Sequence, residues 1–174
     1  MQLMNTHRTN PLIRLLLVLS VCALSACQAF SQKPEMTGVS MTGIDHLADH
    51  LSVQDFQVDG RSGFQAGKGG SNVCCARVPV KWTPGLKVHV AWNVTNWRDR
   101  TSEEHEADVP VDAYEEIGTM HVHFLADGQV RVLLSNYVAW AKDYPGPRGI
   151  PQKQPWDKYP WPSAIDSVVP SAPK

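Results

Sequence analysis

The sequence predicts a mainly β domain, an antiparallel β-sandwich or open barrel-like sheets with long loops, and three observations lead there. Apolar residues recur with a period of two across the middle of the chain, and no window of helical length carries an apolar stripe. Asp127-Gly128 separates two alternating runs, the strongest short-range hairpin signal. Eight of the 13 prolines fall in residues 144–174, which excludes helix interiors and central strands from that stretch and marks it as a Pro/Trp-rich tail.

Taken in order, residues 1–26 read as a signal peptide. Arg8 and Arg14 form a basic region without acidic residues, and an apolar run from Leu15 to Leu24 follows. That run is roughly half of the ~20 apolar residues that a membrane-spanning helix requires. Leu24, Ser25, Ala26 and Cys27 resemble a bacterial lipobox, in which the cysteine thiolate takes a diacylglycerol and becomes the mature N-terminus. Cys27 is therefore the expected lipidation site. Gln28, rather than Asp, follows it, which by likeness to Gram-negative sorting favours the outer membrane, periplasmic side. Two or three acyl chains on one residue make a stable anchor.

Residues 27–36 read as a lipidated tether, residues 37–145 as the β domain and residues 146–174 as the tail. Within the domain, Leu86, Val88, Val90, Trp92 and Val94 alternate with Lys87, His89, Ala91, Asn93 and Thr95, giving a strand with one core face and one wet face. The hairpin around Asp127-Gly128 sets Met120, Val122 and Phe124 against Val130, Val132 and Leu134, with both central turn residues expected at positive φ. Weaker strands cover 36–44, 53–58, 72–78 and 106–111, the last held to an edge or an end by Pro110. Gly60 to Gly70 reads as a long flexible loop, since neither Gly-Lys-Ser/Thr nor a helix follows as a phosphate cradle would require. Glu103, Glu104 and Glu106 read as an acidic loop. The aromatics Trp156, Tyr159 and Trp161 either drape over the domain, the favoured reading, or belong to a mobile recognition arm.

Charge narrows the partners. Loss of residues 1–26 leaves 14 Lys and Arg against 17 Asp and Glu, a formal −3, with no clustered basic face for nucleic acid. Neither a Gly-x-Ser-x-Gly elbow nor a His-Glu-x-x-His helix is present, so the expectation is no enzyme, no cofactor and no small-molecule substrate.

Of the four cysteines, Cys22 leaves with the signal and Cys27 is lipidated, which leaves Cys74 and Cys75 in an oxidising compartment. Two readings stand: a vicinal disulfide in a small strained ring, or two reduced thiols on opposite faces of a strand. The histidines form two spaced pairs, His46 with His50 and His121 with His123, which suit zinc or copper in residue type. His121 and His123, however, face away from Met120, Val122 and Phe124, where polar residues belong on a solvated strand face, and no metal site is expected. Trp97, Trp140 and Trp156 lie outside the expected strands and add weight to a partner-binding surface.

The segment Gly69, Gly70, Ser71, Val73, Cys74, Cys75, followed by Pro79, Lys81, Trp82, Pro84, Gly85, Leu86, Lys87, Val88, Val90 and Trp92, then His123, Phe124, Leu125, Val130, Arg131, Val132, Ser135, Asn136 and Tyr137, resembles the domain-of-unknown-function 3304 lipoproteins of proteobacteria. The resemblance runs from Thr37 to Pro145. It implies an immunity protein that binds and blocks a lipase effector of type VI secretion, with no chemistry of its own and no interface residue assigned. The alternative class is a structural or assembly lipoprotein of the envelope or of a secretion complex.

Overall fold

A computed structural model of the chain describes residues 33–69, 71–150 and 153. Among the described residues there is no helix, and nine strands follow one another: β1 (Met36–Asp45), β2 (Leu51–Ser52), β3 (Phe56–Val58), β4 (Arg61–Phe64), β5 (Val73–Pro79), β6 (Lys87–Asn96), β7 (Thr101–Pro110), β8 (Thr119–Phe124) and β9 (Val130–Ser135). The mainly β expectation holds. One sheet has the order β5-β1-β8-β9. In the other, β6 is central, with β7 along one whole edge, β2 and β3 in succession along the other, and β4 outside β3.

Pairing is antiparallel except between β1 and β8, which run parallel with Met41 opposite Met120 and Asp45 opposite Phe124. The exception follows from the position of β1. The N-terminal strand lies inside its sheet, between β5 and β8, and the long intervening chain permits either direction. Isolated bridges tie the sheets together: Val111, just past β7, to Val132 of β9, and Ile44 of β1 to Gly67 and Lys68, just past β4. The sheets thereby curl into an open half-barrel.

The core lies between the sheets. Val88 and Val90 of β6, Met120, Val122 and Phe124 of β8, and Val132 and Leu134 of β9 are buried there with Met41, Phe56, Val58 and Val78. The β8–β9 register is the expected one, Met120 to Leu134, Val122 to Val132 and Phe124 to Val130. Its turn differs in detail. Only Gly128 takes positive φ (83°), while the Asp127 carboxylate accepts from the Gln129 amide at 3.0 Å, so an Asx contact replaces the second left-handed residue.

Two loop expectations are corrected. Of the expected loop 60–70, residues 60–69 are described and are not a free loop: Asp59 and Gly60 take φ of 49° and 73°, a two-residue turn that joins β3 to β4, and beyond β4 the backbone docks through Ala66 N to Val53 O (3.0 Å) and Gly67 N to Gly43 O (3.0 Å). The acidic segment Glu103, Glu104 and Glu106 is strand, paired residue for residue with β6 from Thr101 to Pro110. Pro110 ends β7, as its missing N–H requires.

Candidate functional site

The sheet β5-β1-β8-β9 is covered on both faces. Behind it, away from the main core, Ile44, Leu133, Ala139 and Tyr144 form a second apolar cluster. Ala139 and Tyr144 belong to a strap, residues 136–150, that leaves β9 and folds back across the sheet. Short turns shape the strap, with Ala141 N bonded to Val138 O at 2.9 Å and Tyr144 N to Ala141 O at 3.2 Å. Arg148 donates to the carbonyls of Lys142 and Tyr144. Gly146 is buried against the Tyr144 ring, where an added Cβ would stand 2.4 Å from a ring carbon.

Under the strap lie His121 and His123, 3% and 0% exposed. A solvated strand face is therefore the wrong reading for both. Period two puts them on the face opposite Met120, Val122 and Phe124, as expected, but that face is roofed. His123 is held from both sides: Nε2 lies 2.6 Å from the Tyr144 hydroxyl and Nδ1 lies 2.8 Å from Nε2 of His46. A neutral chain satisfies this in either direction, with Tyr144 donating to His123 and His123 to His46, or the reverse. His121 packs its ring against Tyr144, centroids 5.0 Å apart, and its Nδ1 is buried without a hydrogen-bond partner.

Burial decides the charge of this cluster. It pushes His121 down to about 4 against a hydrogen bond to the Ser135 backbone, and His123 down to about 3 with help from His46, His121 and Arg131. Burial also lowers His46, opposed by Asp45, and raises the Tyr144 phenol. At neutral pH the whole set is uncharged, as desolvation of an imidazolium in a closed apolar roof demands.

A second fastening lies beside it. The buried Asp45 carboxylate accepts from Leu47 N at 2.8 Å through Oδ1 and from Lys153 Nζ at 2.6 Å through Oδ2, and Lys153 also donates to the Leu51 carbonyl. Lys153 belongs to the stretch read as tail. Arg131 of β9, opposite His123 in the register, is paired with Asp112 at 2.7 Å.

The outer surface of the strap is apolar. Tyr137, Val138 and Trp140 are 52%, 44% and 64% exposed, while Ala139 between them is buried and packs beside Gly69. Thr42 and Gly43 of β1, with Gln65, Gly67, Lys68, Gly69 and Ser71, line a cleft of about 230 Å³.

The other sequence candidates separate. His50 does not join His46 at the cluster, where His121 and His123 take its place. Among the described residues, no group of three or more His, Cys, Asp or Glu side chains is arranged to hold a metal. Cys74 and Cys75 open the edge strand β5, and their sulfurs meet as a vicinal disulfide with Cα atoms 3.1 Å apart, Cys74 exposed. Trp92 lines the core margin and stacks on His105, and Trp82 donates to the Val111 carbonyl at 2.9 Å. Cys27, the signal and the aromatics Trp156, Tyr159 and Trp161 lie outside the described residues.

A curled two-sheet β domain with a roofed histidine cluster and an exposed aromatic strap is the class that fold and site define. The chain belongs to the family described as protein of unknown function (DUF3304), whose model matches residues 48–132. No curated protein and no solved structure matches it.

Proposed function

We propose that this chain is a lipoprotein, anchored through Cys27 at the periplasmic side of the outer membrane, whose β domain is a non-catalytic protein-binding module. The carrying observation is the apolar strap surface of Tyr137, Val138 and Trp140, presented from a segment whose intervening Ala139 and following Tyr144 are buried. Large aromatics held exposed on an ordered backbone bind at low entropic cost, and Trp and Tyr dominate interface hot spots. The neighbouring cleft supplies relief for a side chain from a partner. The Leu24-Ser25-Ala26-Cys27 pattern supports the anchor. The partner in this reading is a lipase effector of type VI secretion, and the protein is its immunity factor.

The test is co-expression with the product of the adjacent gene. A stable equimolar complex that silences the lipase activity, and that weakens at least about 30-fold on Trp140→Ala, supports the reading, because hot-spot tryptophans contribute about 2 kcal/mol or more. A folded protein that forms no complex beside an active neighbour overturns it. An altered envelope in a deletion strain lacking any toxin would then favour the assembly reading.

A further inference from the structure

We infer that the strap 136–150 is an acid-released latch, held shut by the neutral His46–His123–Tyr144 chain and by His121, and opened when those rings take up protons. The closed geometry leaves no room for charge. His123 is fully buried between two hydrogen-bond partners, and His121 buries a ring nitrogen that has no partner. The charged groups facing the rings do not welcome a proton. Arg131 of β9 stands opposite His123, with Asp112 engaged on Arg131. Asp45 of β1 lies beside His46, but Lys153 is paired with it. The strap itself offers the Tyr144 hydroxyl, and β1 offers Thr42 opposite His121.

The sign follows from linkage. Each ring has an ordinary value of 6.5 when the strap is open and a lower one when it is closed, so the open form binds more protons below pH 6.5. Closure is at full strength above that pH and weakens as pH falls towards the closed-state values. With those at about 4 and about 3, the open-to-closed ratio rises roughly 10³- to 10⁴-fold between pH 7.5 and 4.5. The strap yields before the sheets do because Ala139 and Tyr144 are its main apolar anchors, whereas the inter-sheet core is far larger. Opening carries Tyr137, Val138 and Trp140 away from their platform. Only this consequence for a partner rests on the binding reading, since the latch itself is measured on the protein alone.

The experiment is amide exchange of the full chain at pH 7.5 and 4.5, corrected for intrinsic rates, and reads the Ala141 and Tyr144 amides against those of Val90 and Val122. The expected result is a loss of strap protection of at least 100-fold that exceeds any loss in the sheets. Strap protection unchanged within threefold, or lost in equal measure by β6, overturns the latch. His123→Gln keeps a donor and an acceptor and removes one ring's titration, so the acid effect should shrink about 100-fold. An undiminished effect counts against it. Should that variant not fold, ring titration by NMR on the unaltered chain decides: two histidines that remain neutral to pH 5 support the latch, and all seven titrating near 6.5 refute it.

Discussion

Tyr144→Phe isolates one hydrogen bond under the roof. The ring keeps its place in the second apolar cluster, and only the hydroxyl 2.6 Å from His123 Nε2 is lost. His123 is fully buried and its other nitrogen is committed to His46, so Nε2 is left with no protein partner. An orphaned buried polar atom costs about 1–3 kcal/mol, which sets the expected loss of stability. For a domain of this size that corresponds to a fall in Tm of roughly 4–12 °C. Urea denaturation of the full chain at pH 7.5 gives the free energy, with Tyr137→Phe as the control. Tyr137 is more than half exposed, and its variant should stay within about 0.5 kcal/mol of the parent. A Tyr144→Phe protein as stable as the control would refute the hydrogen-bonded chain as the strap's fastening.

Lys153→Met removes the ammonium from the buried Asp45 carboxylate, and an expected loss of about 1–3 kcal/mol, read by the same denaturation, allows for the partial exposure of the lysine. Gly146→Ala forces a methyl into the Tyr144 ring and should cost about 1–3 kcal/mol, whereas Gly67→Ala, with nothing within 4 Å of its new Cβ, should be far milder. Cys74 is exposed at the start of an edge strand, so iodoacetamide reaches the pair without unfolding. On the peptide that carries Cys74 and Cys75, no label before reductant and two after it, counted by mass spectrometry, is the outcome expected of an oxidised pair.

Much of the fold was legible because period two is a local signal. β6, β8 and β9 follow from alternation alone, and the cross-strand partners of Met120, Val122 and Phe124 follow once a turn at Asp127-Gly128 is assumed. The same turn chemistry stood at Asp59-Gly60, where both residues do take positive φ, yet the surrounding glycines disguised β4 as loop. β7 was obscured by its charge. Its outward residues are exposed from Thr101 to Glu106, so the strand is specified by full pairing with β6 rather than by an apolar face. The parallel β1–β8 contact joins strands far apart in sequence, and no local pattern encodes it.

The histidine cluster was misread for a physical reason that the sequence did contain. Alternation correctly assigned His121 and His123 to the face opposite Phe124, but the inference that this face is wet assumed a sheet covered on one side only. Val132, Leu133 and Leu134 are apolar in succession, and Ile44 faces opposite to Met41, so β1 and β9 each present apolar side chains to both sides. A strand of that kind needs a cover on each face. The cover had to come from a neighbouring segment, and the stretch after β9, with Tyr144 and Gly146 set to close over it, is adjacent in sequence. Once the sheet is taken as two-sided, a histidine under that cover is buried, and burial disfavours its charged form. That sequence of constraints makes the protonation state of His121 and His123 the property through which the proposed latch is tested.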